Sequence, residues 1–423
     1  MKSYAGLIAM FLPCALALAQ TAPQPKSVTV PITLDHNRVV IDVDLPLPDG
    51  STQRVHGWVD SGNPALELSR RVATLMNLNV ICDDKSCSAP PPREITIGGM
   101  KISLATIKQA DIPLKPVSAA AVLASGMNVE INIPSSVLHH YDVLVNFPDH
   151  KFTIAQPGTL KFQGSSGKVL VNQENGLVQV PSQIENKKYN LALDVGSSIS
   201  FFSPELFERL QNVHPDWPHM TGAVGPANMW GMDTEPKWNL LRVDRVQYGS
   251  LFLTSVAVTE LPKEWLAFFE KRAGAPTAGL LGANALLNYR VGIDYAHSTV
   301  YFDLGTTFKA SDFDVVGLIL RPEDDGRYTI LSVADFDGKP SVSGGQDGAQ
   351  PGDHLVAVDI TPVPGSTMGQ VWSLLQGQPG QERKLTLERG GKQFTVVAKV
   401  QHFLGETQEK ERNKEGKRRT RRF

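Results

Sequence analysis

Two similar stretches limit the fold of this chain more than any other feature of its sequence. They read GWVDSGNPALELS at residues 57–69 and LALDVGSSISFFS at residues 191–203. Each contains a short apolar run, which predicts a buried strand, followed by an Asp-x-Gly turn. The repeat predicts two similar lobes that each deliver one carboxylate, from Asp60 and from Asp194.

Further pairs of segments repeat in the same order along the chain, which supports an internal duplication. They are 95–107 with 246–258, 141–155 with 289–303, and the strand-turn-strand entry to the first motif with 169–180 followed by 189–194. Four ordered matches seldom arise by chance. We therefore expect lobe one at residues 28–160 and lobe two at residues 169–305.

The chemistry expected of the two motifs follows from bringing two carboxylates together. Such a pair does not readily ionise twice, so its members share a proton and divide the roles of acid and base. Asp60 and Asp194 would hold one water between them. The ionised carboxylate would take the proton of this water while the protonated one polarises a carbonyl group.

The motifs, together with GLLGANALL at residues 279–287, resemble the pepsin and retropepsin superfamily of aspartic peptidases. The resemblance covers roughly residues 28–303 and implies a mainly β, two-lobed β-barrel fold. It also implies an endopeptidase, a hydrolase of peptide or protein substrates, with no cofactor and no metal. Asp60 and Asp194 take the catalytic positions, and the residues expected to support their turns are Ser61, Gly62, Gly196, Ser197 and Gly282.

Two positions depart from that family's pattern. Val195 stands where the family has a Thr or Ser hydroxyl, so we expect one hydrogen bond between the lobes to be absent. In lobe one the segment VEINIPSSVL at residues 129–138 lacks the glycine found in lobe two. A second function therefore stays open, a non-catalytic peptide-binding scaffold with a degenerate cleft, although retention of both aspartates favours the enzyme.

The C-terminal part of the chain has a different pattern, with QPGDHL at residues 350–355. This turn and the order of predicted strands resemble a PDZ domain of bacterial envelope proteases over residues 313–404. The resemblance implies that backbone N–H groups of a loop bind the C-terminus of a peptide. By position the loop is formed by Val316, Gly317, Leu318 and Ile319. Core strand residues are the alternative interpretation of Leu318 and Ile319.

The N-terminal residues 1–19 predict a signal peptide, with Lys2, an apolar stretch and the small-x-small site ALA. We therefore expect export to a bacterial periplasm or secretion. No later run reaches about 20 apolar residues, so no transmembrane segment is expected. In an oxidising compartment Cys82 and Cys87 can form a disulfide, and two free thiols are the alternative.

Charge and motif content exclude several classes of function. The net charge is −2, and residues 410–422 hold eight basic and two acidic residues, so the rest of the chain is acidic. A generally basic nucleic-acid binder is thus excluded, and residues 408–423 predict a disordered basic tail. Neither an H-E-x-x-H nor a G-x-S-x-G motif occurs, which argues against zinc-peptidase and serine-hydrolase chemistry.

Overall fold

The structure, a computed structural model, describes residues 24–84, 86–108, 110–115, 129–221, 239–306, 313–323, 325–342 and 348–405. The predicted signal peptide at 1–19 and the predicted tail at 408–423 lie outside the described residues. The chain is mainly β, which confirms the predicted fold class. Within the described ranges, no helix has the length and apolar character needed to cross a membrane.

The first group of strands contains the first Asp motif. These strands are β1 (Ser27–Pro31), β2 (Thr33–Asp35), β3 (Arg38–Pro46), β4 (Thr52–Asp60), β5 (Leu68–Ser69), β6 (Ile81–Cys82), β7 (Cys87–Ala89), β8 (Glu94–Ile97), β9 (Met100–Ser103), β10 (Ile112–Lys115) and β11 (Val129–Pro134). The helices here are Arg70–Leu75 and Ser135–Leu138. Strands β2 to β11 form the first sheet, in the order β6-β7-β10-β5-β11-β4-β3-β8-β9 with β2 paired to β3.

The second group contains the second Asp motif. The first group ends with the hairpin β12 (Asp142–Asn146) and β13 (Lys151–Ala155), and the strands of the second group are β14 (Ser165–Lys168), β15 (Leu170–Val171), β16 (Val178–Ile184), β17 (Lys187–Leu193), β18 (Ser200–Phe202), β19 (His219–Met220), β20 (Leu240–Tyr248), β21 (Leu251–Glu260), β22 (Gly279–Leu281), β23 (Tyr289–Asp294) and β24 (Thr299–Leu304). Its helices are Pro204–Val213, Lys263–Ala273 and the 3-10 turn Ala283–Ala285. The second sheet has the order β15-β16-β17-β22-β18-β21-β20-β19, and β16 also pairs with β20.

The two Asp strands have equivalent neighbours in their sheets. Strand β11 lies between β4 and β5 and runs parallel to β4, just as β22 lies between β17 and β18 and runs parallel to β17. The backbone N–H of Ser135 donates to the Asn63 carbonyl at 3.0 Å, and that of Ala283 donates to the Ser197 carbonyl at 2.7 Å. Each acceptor lies three residues after its aspartate. The sequence repeat thus has a counterpart in strand order and in backbone hydrogen bonds.

A third sheet joins the two groups, in the order β1-β13-β12-β23-β24-β14. At its centre β12 pairs antiparallel with β23, and Leu144 lies opposite Gly292. The repeated hairpins of the sequence thus meet each other across an approximate two-fold axis. This sheet, which we call the base sheet, fixes the first and second sheets relative to each other.

The C-terminal strands are β25 (Asp314–Val315), β26 (Leu318–Pro322), β27 (Tyr328–Val333), β28 (Asp335–Phe336), β29 (Lys339–Pro340), β30 (His354–Val358), β31 (Thr361–Pro362), β32 (Glu382–Arg389), β33 (Lys392–Lys399) and β34 (Gln401–His402). The C-terminal sheet has the order β26-β27-β30-β32-β33, and the helix Met368–Leu375 packs with it. Buried side chains of this sheet form one continuous core with Phe201 and Leu280 of the second sheet. The C-terminal region is therefore packed against the second sheet.

The strands that neighbour the two Asp strands differ at the position beside the aspartate. In the first sheet Pro134 pairs with Asp60. In the second sheet the Asp194 N–H donates to the Leu281 carbonyl, and the residue beside the aspartate is Gly282. A Cβ at Gly282 would lie 2.2 Å from the carbonyl oxygen of Ile199. The loop from Asp60 to β5 is longer than the loop from Asp194 to β18.

We expect Gly282→Ala to lower the free energy of unfolding by about 3 kcal/mol, because the new methyl group meets backbone that cannot move away cheaply. The matched variant Pro134→Ala should cost only about 1 kcal/mol, since it removes atoms without creating a clash. Urea unfolding of both variants beside the parent chain measures the difference. Equal losses would contradict this account of the two positions.

Candidate active site

The two Asp turns meet at the boundary between the first and second sheets. Asp60 ends β4 and Asp194 directly follows β17, and each is 1% exposed. A Cβ at Gly62 would lie 2.2 Å from Asp194 Oδ2, and a Cβ at Gly196 would lie 2.5 Å from the carbonyl oxygen of Val59. Each glycine therefore packs against the opposite turn. The structure brings the two predicted aspartates and the glycines of their motifs into one buried site.

Backbone N–H groups surround the Asp194 carboxylate. Its Oδ1 accepts from Gly196 N at 2.9 Å and from Ser197 N at 3.1 Å. Burial raises the pKa of Asp194 to about 6, while the N–H groups of Gly196, Ser197 and Gly62 oppose this shift. These donors stabilise the ionised form, because a carboxylate that accepts several hydrogen bonds holds its charge more easily.

Asp60 has a different environment. Burial raises its pKa well above the usual value, and the nearby carboxyl groups of Asp194 and Glu67 raise it further. The side-chain amides of Asn132 and Asn63 oppose the shift. Its Oδ2 is buried and has no hydrogen-bond partner among the described residues. A buried oxygen of this kind is more stable when the carboxyl group carries a proton.

The unequal surroundings divide the roles of the two aspartates. Asp194 ionises first because backbone N–H groups stabilise its charge, and Asp60 keeps the shared proton because a like charge lies next to it. The pair therefore titrates as one unit with two macroscopic pKa values. In this state it can supply one base and one acid to a water molecule and a carbonyl group.

One buried serine ties the two turns together. Ser61 Oγ donates to the Leu193 carbonyl at 3.0 Å and accepts from the Val195 N–H at 3.0 Å. The side chain of Val195 is also buried but offers no donor or acceptor. Ser61 therefore makes its bonds between the turns, whereas a hydroxyl at position 195 would be needed for the matching bond, which Val195 cannot make.

Other predicted support residues lie around the second turn. Gly282 follows β22, and its N–H donates to Ser200 Oγ at 3.0 Å. Ser197 Oγ donates to the Ile199 carbonyl at 2.8 Å, which closes the loop after Asp194. Ser197 thus supports the turn twice, through its N–H to the carboxylate and through its hydroxyl to the following backbone.

Several polar side chains at this site were not predicted from the sequence. The Trp58 indole Nε1 donates to the Gly196 carbonyl at 3.0 Å. Asn132 Oδ1 accepts from the Glu67 N–H at 2.7 Å, and Arg272 Nη1 donates to Asn63 Oδ1 at 3.0 Å. Strand alternation gives one available signal, since residues two apart on a strand share a face. It places Trp58 on the face of Asp60.

The predicted peptide-binding loop of the C-terminal region is buried. Val316, Leu318 and Ile319 are each at most 3% exposed. The Val316 N–H donates to the Leu375 carbonyl at 2.9 Å, and the Leu318 N–H donates to the Val316 carbonyl at 2.8 Å. A Cβ at Gly317 would lie 2.4 Å from Ser341 Oγ. Two N–H groups of this loop are thus already engaged within the chain.

Away from the two aspartates, the structure bears on the predicted disulfide and on metal binding. Cys82 and Cys87 form a disulfide that joins β6 to β7. Over the parts of the chain that the structure describes, no group of three or more His, Cys, Asp or Glu side chains is arranged to hold a metal ion.

Comparison with known proteins adds no identification. No protein-family model matches the chain. No curated protein matches it either.

We expect Ser61→Ala to lower the free energy of unfolding by about 2–4 kcal/mol, because the Leu193 carbonyl and the Val195 N–H would both be left buried without this partner. Ser198→Ala is the matched control. Ser198 is 1% exposed and its Oγ has no hydrogen-bond partner among the described residues, so its loss should cost below about 1 kcal/mol. Chemical unfolding measures the free energy of unfolding of both variants. A loss in Ser198→Ala as large as that in Ser61→Ala would refute the role given to Ser61.

Proposed function

We propose that this chain is an aspartic-type endopeptidase of the two-lobed kind found in the pepsin and retropepsin superfamily. The observation that carries the proposal is the meeting of two Asp-x-Gly turns, from equivalently ordered sheets, around two buried carboxylates. Their pKa values are both raised, which is the condition for sharing a proton near neutral pH. The substrates are peptides or proteins.

In the proposed mechanism a water molecule lies between the two carboxyl groups. Asp194 takes a proton from this water, which then attacks the carbonyl carbon of the scissile peptide bond. Asp60 donates its proton toward the carbonyl oxygen as the tetrahedral intermediate forms. Collapse of the intermediate breaks the C–N bond as the proton held by Asp194 passes to the leaving nitrogen, and one hydroxyl proton of the intermediate returns to Asp60 as the carbonyl group re-forms. Atoms and protons balance, and no covalent enzyme intermediate forms.

The C-terminal region is proposed to act as a PDZ-like module that receives a peptide C-terminus. In its favour, β26 is the end strand of its sheet among the described residues, and end strands accept an added peptide strand. Peptide capture by Val316, Gly317, Leu318 and Ile319 would require the Val316 N–H to leave the Leu375 carbonyl. The module would therefore open as it binds.

A non-catalytic peptide-binding scaffold is the second candidate function. It is favoured by Val195, which removes one tie between the turns, and by the burial of both aspartates at 1% exposure. The two candidates differ in one respect that can be measured. The enzyme cleaves bound peptides, whereas the scaffold releases them unchanged.

Export to a periplasm or secretion is part of the proposal. The predicted signal peptide is its basis, and the disulfide between Cys82 and Cys87 is in keeping with an oxidising compartment.

We expect the purified mature chain to cleave members of a diverse peptide library, and Asp60→Asn and Asp194→Asn each to reduce cleavage at least about 10³-fold, since one carboxyl group alone cannot supply both acid and base. Ser198→Ala is the control for a neutral change beside the second turn. Mass spectrometry of the products gives the rates and sites. Cleavage by both Asn variants at the rate of the parent chain would reject the pair as the active site. Binding of library peptides by the parent chain without any cleavage product would favour the scaffold.

The pH dependence of kcat/KM should be bell-shaped, with its acid limb near pH 6. Activity rises as pH passes the pKa of Asp194, because the base must be ionised. It falls at higher pH as Asp60, whose pKa is raised well above its usual value by burial and by the neighbouring Asp194, loses its proton. Initial rates from pH 3 to 9 on one cleaved peptide test this. A rate that is highest at pH 3–4 would contradict the assigned roles.

A further inference from the structure

The side-chain tie between the two Asp turns is one-sided. Ser61 Oγ of the first turn bonds the backbone on both sides of Asp194, because it donates to the Leu193 carbonyl and accepts from the Val195 N–H. The approximate two-fold axis relates this hydroxyl to position 195, which is a buried valine. Position 195 therefore offers no matching side-chain bond to the first turn, and a further side-chain tie between the turns must come from another residue.

The Trp58 side chain provides a bond at this place. Its Nε1 donates to the Gly196 carbonyl at 3.0 Å, and a Cβ at Gly196 would lie 2.7 Å from the same nitrogen. The Val59 carbonyl lies 2.5 Å from that Cβ position, so the indole bond lies where the two turns touch. A tryptophan in a buried site usually finds a partner for its N–H. Here the partner belongs to the opposite lobe.

The Gly196 carbonyl, which accepts this bond, is linked to the Asp194 carboxylate through a single peptide unit. The Gly196 carbonyl and the Ser197 N–H belong to one planar peptide unit, with the two groups on opposite sides. The Ser197 N–H donates to Asp194 Oδ1 at 3.1 Å. Holding the carbonyl end of the peptide unit therefore aims its N–H end at the carboxylate. Two hydrogen bonds in series through one peptide also polarise each other.

The indole is itself fixed by its surroundings. Trp58 packs with Val40 and Val129 in a small buried cluster. The Arg38 guanidinium lies 5.8 Å from the ring centre, and Arg38 pairs with Asp35 at 3.3 Å. The ring can thus keep its N–H on the Gly196 carbonyl without relying on that bond alone.

We propose that Trp58 is a positioning residue for the second aspartate, and that its indole N–H supplies a second side-chain tie between the turns beside the one made by Ser61. The inference rests on the proposed peptidase function for its effect on rate, but the hydrogen bond can be tested without activity. Trp58 acts through the peptide unit between Gly196 and Ser197.

The test is Trp58→Phe, which keeps an aromatic ring under Arg38 and removes the N–H donor. We expect kcat to fall about tenfold with KM unchanged. The acid limb of the pH profile should move to higher pH, because a less well aimed Ser197 N–H stabilises the Asp194 carboxylate less. The charged groups near the pair, Glu67, Arg38 and Arg272, stay in place in this variant.

Hydrogen exchange supplies the readout that is independent of catalysis. We expect the Ser197 amide to exchange about tenfold faster in Trp58→Phe than in the parent chain. Tyr295→Phe is the matched control, since Tyr295 is 5% exposed and its hydroxyl has no hydrogen-bond partner among the described residues. It should change neither exchange at Ser197 nor the pH profile.

A double variant tests whether the effect runs through the Gly196 carbonyl. By the approximate two-fold axis, the hydroxyl added by Val195→Thr would bond the first turn and not the Gly196 carbonyl, so in the Trp58→Phe background it should leave Ser197 exchange fast. Unchanged Ser197 exchange in Trp58→Phe would overturn the proposal, as would a return to the parent exchange rate on adding Val195→Thr. If the parent chain cleaves nothing, the proposed function fails while the exchange measurement still decides the role of Trp58.

Discussion

The burial of two carboxyl groups against each other is the constraint on which the rest of this structure depends. Two ionised groups in such a place would repel strongly and lose their hydration, so the fold must either supply donors or keep a proton. Both solutions occur here. Asp194 receives backbone N–H groups, whereas Asp60 faces Asp194 and Glu67 and retains the proton. The chemistry expected of the pair follows from this inequality.

The equivalent strand order of the two Asp sheets shows how the pair is built, and a few sequence differences make it unequal. The base sheet joins two equivalent hairpins at Leu144 and Gly292, which sets the two Asp turns face to face. The second turn has Val195 and Gly282 at the positions where the first has Ser61 and Pro134. The loop after Asp60 is also longer than the loop after Asp194. An approximate two-fold axis thus holds two sites with different electrostatics.

The sequence predicted those parts of the fold that repeat locally. The mainly β class, the Asp-x-Gly turns and the base-sheet hairpins all rest on short patterns of apolar residues, turns and glycines. The tie made by Trp58 was not predictable, because its partner lies 138 residues away and is a backbone carbonyl, which any residue could offer. The same reason applies to Asn132 and Arg272, whose contacts depend on how distant strands and a helix come together.

The C-terminal region also reaches the second Asp turn, through the hairpin turn between β2 and β3. Asp35 Oδ1 accepts from the Gly369 N–H at 2.8 Å, at the start of the helix Met368–Leu375. Two residues later, Asn37 Nδ2 donates to the Ser198 carbonyl at 3.2 Å. The intervening His36 has a positive φ of 50°, and its ring contacts that of Trp372 at a tilt of 48°. A non-glycine residue keeps such a conformation only when its surroundings enforce it, so the C-terminal helix helps to hold the hairpin turn that contacts the loop after Asp194.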